Sequence, residues 1–135
     1  MANDYRMLAT RWFEDNWNRR RDEVVDELLA PEAVGHMEGG DVHGRDEFRA
    51  VRAALLGAFP DLHLTIEDTL ADGNQVAVRW RVDGTHRGDH FGFPASQRAV
   101  NFRGITWLRF DRDRLVEGWD AWNHGALMQA LQAPA

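Results

Sequence analysis

The hydrophobic period of this chain changes once, near Pro60, and that change limits the folds open to it. Upstream, apolar residues recur at helical spacing. Tyr5, Leu8, Ala9, Trp12 and Phe13 form one stripe, Trp17 follows a turn later, and Asn3 or Asp4 stands as the cap. A short second helix is predicted over about Asp22 to Leu29. It must stop before Pro31, because the residue before a proline is pushed out of the helical region. Residues 33–37 read as a short strand or an extended entry. Gly39 and Gly40 break the chain, and a third helix follows Gly44, with Phe48, Val51, Leu55 and Phe59 on one stripe.

Downstream the period is two. Leu62, Leu64 and Ile66 alternate with His63, Thr65 and Glu67, and Val76, Val78, Trp80 and Val82 alternate with Ala77, Arg79 and Arg81. Such alternation marks strands with one buried face. Asp72-Gly73 between the two runs is a hairpin signal. A Gly-rich connection covers 83–97, a long strand runs from about Arg98 to Phe110, and a last strand follows the turn at 111–113, from Leu115 to Asn123. Gly125 to Leu131 reads as a final helix. Helices first and an antiparallel meander after is the order of an α+β fold. Helices laid over the concave face of a curved sheet enclose a cone, whose mouth is a ligand site. At 135 residues the chain is expected to be one domain, 1–135.

Absent residue types narrow the chemistry. There is no Cys, hence no disulfide, thiolate nucleophile or thiolate metal site. All 16 basic residues are Arg, so Schiff-base chemistry is excluded. Ser96, the single Ser, is not in a nucleophile elbow, and no Gly-rich nucleotide cradle is present. The net charge of -6 and the scattered Arg residues argue against a nucleic-acid partner. No apolar run approaches a membrane span. The segment Met1 to Arg6 lacks the basic-then-apolar pattern of a secretory signal, so the expected location is cytoplasmic. An enzyme with this composition works with Asp, Glu, His, Tyr5 or bound water.

Those candidates converge on the last two strands. Successive strand residues face opposite sides. Gly118, Asp120 and Trp122 therefore share one face, as do Phe102, Gly104, Thr106, Leu108 and Phe110 on the strand before. A three-residue turn at 111–113 puts Asp120 on the face of Gly104 and Thr106, whereas a two-residue or four-residue turn reverses the parity. Inside the cone, Asp120 would be a carboxyl among Phe, Leu and Trp. Desolvation would raise its pKa and suit it to remove and return a proton near neutrality. Outside, it would be solvated or paired with an Arg such as Arg103.

Among the six His, His36 either lines the pocket or packs in the core, while His43 and His63 are expected at the surface. His86 and His90 stand four apart in a Gly-rich loop without the third ligand a metal needs, so no metal site is expected. Trp17, Trp80, Trp107 and Trp122 lie where they can line a cavity. Flat apolar walls suit a flat aromatic or polycyclic ligand. The sheet face left uncovered favours a homodimer or higher homo-oligomer.

Four segments carry a resemblance. Gly84-Thr85-His86-Arg87-Gly88, Phe93-Pro94-Ala95, Arg103-Gly104-Ile105-Thr106-Trp107-Leu108-Arg109-Phe110 and Leu115-Val116-Glu117-Gly118-Trp119-Asp120 resemble the SnoaL-like polyketide cyclases. The resemblance extends over the helical first half as well. It implies the NTF2-like cone and an acid/base catalyst that needs no metal or organic cofactor. The catalytic Asp of the family's final strand matches Asp120. It would take the proton from a carbon flanked by carbonyls. The enolate would close a ring by intramolecular aldol attack, and the protonated Asp would supply a proton to the new alkoxide. Pocket walls of the family match Trp17 and Val51, and His86 matches the His of its Gly-His-Gly loop. With His36, Trp80, Phe102, Thr106 and Trp122, these make up the expected substrate-binding set.

Thr106 is a departure, since the cyclases carry a His there on the preceding strand. A Thr holds a water or a carbonyl oxygen but does not titrate near neutrality. Relatives on this fold also include hydroxylating tailoring enzymes, isomerases, epoxide hydrolases and non-catalytic binders. The expectation is a cofactor-independent cyclase or related tailoring enzyme for an aromatic polyketide. The alternatives are a hydroxylase of the same fold and a small-molecule-binding module without chemistry.

Overall fold

The computed structural model describes residues 4–134. Helix α1 spans Tyr5–Phe13 and is capped by Asp4, whose Oδ1 accepts the Met7 N–H at 3.2 Å; Asn3 lies outside the described residues. A π-helical turn, Glu14–Asn18, continues it. The buried carboxylate of Asp15 in that turn pairs with Arg11, Arg19 and Arg21, so part of the Arg19-Arg20-Arg21 run has a structural use. Helix α2 is Glu23–Leu28, and strand β1, Leu29–Met37, follows it directly. A turn at Glu38 and Gly39 leads to β2, Gly40–His43, and then to α3, Gly44–Ala58. The meander is β3 (His63–Asp72), β4 (Gln75–Thr85), β5 (Ala99–Asp111) and β6 (Arg114–Trp122), and α4 (His124–Gln132) closes the chain.

The six strands make one open sheet in the order β2-β1-β6-β5-β4-β3. The α+β reading and the antiparallel meander from β3 to β6 match the expectation. The edge is different, because β1 lies parallel to β6 and antiparallel to β2. β1 begins well before the expected residues 33–37 and has an irregular register between Leu29 and Val34. It shows no period of two, so its full length left no mark in the sequence.

The inner face of β4 supplies Val76, Val78, Trp80 and Val82 to the core, and α1 lays Ala9, Trp12 and Phe13 over it. Apolar burial of this kind contributes roughly 25 cal/mol per Å². On the α3 stripe, Phe48 and Phe59 are buried. Val51 and Leu55 keep partial exposure because they face a cavity rather than the core. Among the described residues, no helix is long and apolar enough to cross a membrane.

The Gly-rich connection is shorter than expected, since β4 runs to Thr85 and β5 begins at Ala99. It is tied down at its root. The His86 N–H donates to the Arg98 carbonyl at 2.9 Å, and the Arg87 N–H to the Ala58 carbonyl at 3.0 Å.

Candidate active site

The hairpin between β5 and β6 decides where Asp120 points. Asp111 pairs with Arg114, so the turn holds two residues, Arg112 and Asp113. That length alone would turn Asp120 to the outer face. A bulge compensates: Phe110 pairs with Leu115 and Arg109 with Glu117, which leaves Val116 as the extra residue. The parity is restored, and Asp120 stands directly opposite Thr106. Asp120 therefore reaches the expected face by a different route from the three-residue turn.

On that face the side chains form a chain of hydrogen bonds. The Trp80 indole Nε1–H donates to Thr106 Oγ1 at 2.9 Å, and the Thr106 hydroxyl donates to Asp120 Oδ1 at 2.7 Å. Among the described residues, no partner is found for Asp120 Oδ2. Burial pushes the Asp120 carboxyl above its ordinary range, the Thr106 hydrogen bond pulls it back, and the nearby Glu38 charge pushes it up further. Arg103 is not its partner, because Arg103 belongs to the opposite face of β5.

Asp120 and Thr106 open on a cavity of about 380 Å³. Trp17, carried by the π-helical turn, and Val51 and Leu55 of α3 form one wall. Trp80, Phe102 and Trp122 form the other. The Phe102 and Trp122 rings stack with centroids 4.9 Å apart, and Trp80 meets Trp122 edge-on at 6.3 Å. Glycine makes this packing possible, since a Cβ on Gly104 would lie 2.5 Å from the Trp80 ring and 2.8 Å from Trp122 Cβ. Apart from two His, the titratable residues that border the cavity are all acidic, Glu38, Asp41, Glu117 and Asp120; the Asp41 and Glu117 carboxylates turn to His36 on the outer face. None of the 16 Arg lines the cavity.

Two expected positions, His86 and Trp107, are placed elsewhere, and a third, His36, meets the cavity at its edge. His36 borders the cavity, but its ring turns to the outer face. It stacks on Trp119 at 5.5 Å, with Nε2 2.8 Å from Glu117 and Nδ1 3.0 Å from Asp41. Those two carboxylates, Glu117 the more strongly, hold the imidazole above its ordinary pKa. His86 does not reach the cavity wall. It is fully buried among Phe59, Phe91 and Phe93, and its Nδ1 accepts the Ser96 N–H at 3.0 Å. Burial holds the His86 imidazole below its ordinary pKa. The motif position was legible, but its use is to dock the connection between β4 and β5. Trp107 lies on the outer face, 51% exposed, with its indole N–H on Gln75 Oε1.

Glu38 and His124 are among the lining residues that the expected set left out. Glu38 sits in the β1–β2 turn, and His124 begins α4 with its ring edge-on to Trp122 at 5.2 Å. Both flank strand ends whose positions the sequence pattern left open by a residue or more. Among the described residues, no group of three or more His, Cys, Asp or Glu is arranged to hold a metal ion.

The fold recurs in solved structures. A protein provisionally assigned as a SnoaL-like polyketide cyclase from Jannaschia sp. CCS1 is 24% identical, with a TM-score of 0.89 over 97% of this chain and 93% of its own. AclR from Streptomyces galilaeus, provisionally assigned as a hydroxylase, is 24% identical, with a TM-score of 0.83 over 98% of each chain. At these identities the likeness speaks for the fold. IdmH from Streptomyces antibioticus, provisionally assigned as a polyketide cyclase, is 27% identical, with a TM-score of 0.81 over 98% of this chain and 100% of its own. No curated protein matches the chain. The family model of SnoaL-like polyketide cyclases matches residues 7–131, and with its unclosed NTF2-like sheet over an apolar cavity the chain belongs to that family.

Proposed function

We propose that the protein is a cofactor-independent cyclase of an aromatic polyketide, with Asp120 as the general acid and base. The observation that carries this reading is the Asp120 carboxyl. It lines an aromatic cavity, is desolvated, and is held by one oxygen while the other has no partner among the described residues. Ionised Asp120 removes a proton from a substrate carbon flanked by carbonyls. The enolate carbon bonds to a second carbonyl carbon of the same molecule, whose oxygen takes the electron pair. Asp120 then returns the proton to that alkoxide, so the enzyme ends as it began and nothing is oxidised or reduced.

The Trp and Phe walls suit a flat polycyclic skeleton. The acidic lining favours an esterified, uncharged substrate over a free acid. The test is turnover of aromatic polyketide esters under anaerobic, metal-free conditions. Ring closure by the wild type, lost in Asp120→Asn, supports the reading, and unchanged turnover in that variant removes it.

Thr106, in place of a titratable partner, favours a second reading, hydroxylation of the same substrate class. That reaction consumes oxygen and a reductant, so the anaerobic assay separates the two. We also propose a homodimer through the outer sheet face, where Ile105, Trp107 and Trp119 are exposed. Sedimentation of the wild type against Trp107→Glu tests it, and a wild-type monomer would end it.

A further inference from the structure

We propose that Trp80 and Thr106 are positioning residues for Asp120: the indole sets the direction of the Thr106 hydroxyl proton, and that proton determines which carboxyl oxygen reacts. The proposal rests on the reading of Asp120 as the acid and base.

A hydroxyl carries one proton and two lone pairs, and an indole N–H only donates. The Trp80 N–H, 2.9 Å away, occupies a lone pair of Thr106 Oγ1. The hydroxyl proton is then directed to Asp120 Oδ1 at 2.7 Å. Trp80 is 5% and Thr106 7% exposed, so bulk water has little access to either bond. Without the indole, the Thr106 hydroxyl would be free to reverse and accept a proton from a neutral carboxyl. With it, one lone pair is left, but reversal would leave the buried hydroxyl proton with no acceptor among the described residues, so Thr106 donates whether Asp120 is charged or neutral. Oδ1 is thus an acceptor in both states, and the titrating proton belongs to Oδ2.

Two consequences follow. Both proton transfers pass through one atom, so the acidic carbon and the new alkoxide must each come within reach of Oδ2. The donated hydrogen bond also favours the carboxylate, which limits the effect of desolvation and keeps Asp120 usable as a base. Gly104 takes part indirectly. It is the cross-strand partner of both Trp80 and Trp122, and its missing Cβ leaves the space the indole needs. The other groups facing Asp120 are Glu38 from the β1–β2 turn, which opposes its ionisation, and His124 at the start of α4, which lines the same cavity.

The test is carbon-detected NMR titration of the Asp120 carboxyl, without substrate, in the wild type, Thr106→Val, Thr106→Ser and Trp80→Phe. Amide dispersion is checked first in each. Thr106→Val is expected to move the titration up by about one unit, tenfold in the ionisation constant. Thr106→Ser keeps the wild-type midpoint, and Trp80→Phe moves it up by less than Thr106→Val. The acid limb of kcat/KM should shift upward with the carboxyl in Thr106→Val. A Thr106→Val midpoint equal to wild type overturns the proposal, as does a Thr106→Ser midpoint equal to that of Thr106→Val. If Trp80→Phe does not fold, the Val and Ser pair decides alone. A shifted titration together with full activity in Asp120→Asn would leave the positioning intact and remove the cyclase reading.

Discussion

Asp120 and Glu117 are carboxyls on the same strand, β6, and they meet opposite fates. An odd separation puts them on opposite faces of the sheet. Asp120 faces the cavity, where its partner is a neutral hydroxyl and desolvation drives its pKa up. Glu117 faces outward between His36 at 2.8 Å and Arg109 at 2.9 Å, and those cations, His36 first, hold its pKa down. The comparison teaches that neither residue type nor strand decides what such a carboxyl can do. The pleat decides, through the dielectric and the partners it assigns to each face. A proton carrier needs the inner arrangement, and a fixed charge needs the outer one.

The largest effect that can break this comparison is on turnover. Asp120→Asn should lower kcat about 10²- to 10⁴-fold, the usual contribution of a positioned acid/base group. Glu117→Gln should stay within a few-fold of wild type. Comparable losses in both variants would mean that the inner face holds no privileged carboxyl. The same substitution should raise thermal stability at neutral pH, with the sign set by linkage. Since the folded pKa of Asp120 lies above the ordinary value of 3.8, the native state carries no penalty below that value. The penalty grows as pH rises and is complete above the folded pKa. The melting-temperature advantage of Asp120→Asn over wild type should therefore widen from acid toward neutral pH.

A smaller effect sharpens the comparison within the inner face. Gly104 and Gly118 are on adjacent strands of that face. A Cβ on Gly104 would meet the Trp80 ring at 2.5 Å, whereas on Gly118 it would meet the Leu108 Cδ2 at 3.3 Å. Gly104→Ala should cost about 1–3 kcal/mol by denaturant unfolding, the usual price of overpacking. It should also displace the Trp80 indole from Thr106. Gly118→Ala should cost less, because a Leu methyl yields where two indoles do not. Equal costs would mean that the tryptophan cluster is loosely packed.

The legible parts of the fold were those with a clean period. β4 alternates in burial as it does in sequence, and the stripe of α3 marked the face that meets the core and cavity. β1 was legible only in its last residues, because its register shifts between Leu29 and Val34 and its burial there does not alternate. In the site, Asp120, Thr106 and Trp122 shared a face on paper, yet the bulge at Val116 that makes it so left no local signal. His86 shows the converse. Its motif was plain, but which way a loop histidine turns depends on Phe59, just past the end of α3, and on Ser96, partners distant in sequence.

The smallest expected effect lies on the outer face, where the His36 cluster should tune stability and leave chemistry alone. His36 is raised from 6.5, so its ion pairs contribute fully below that value and are lost as pH climbs through the folded pKa. Glu117 is lowered from 4.5, so its contribution is present above 4.5 and is lost as pH falls through the folded pKa. Together they define a window, about pH 4.5 to 6.5, in which the β1–β6 clasp is complete. The melting-temperature difference between wild type and His36→Gln should be largest inside that window and shrink on the alkaline side. The pH profile of kcat should not move, because Asp120 reports to the cavity and His36 to the opposite face. A profile displaced by His36→Gln would mean that the two faces are coupled through β6 and that the pleat isolates them less well than their hydrogen bonds indicate.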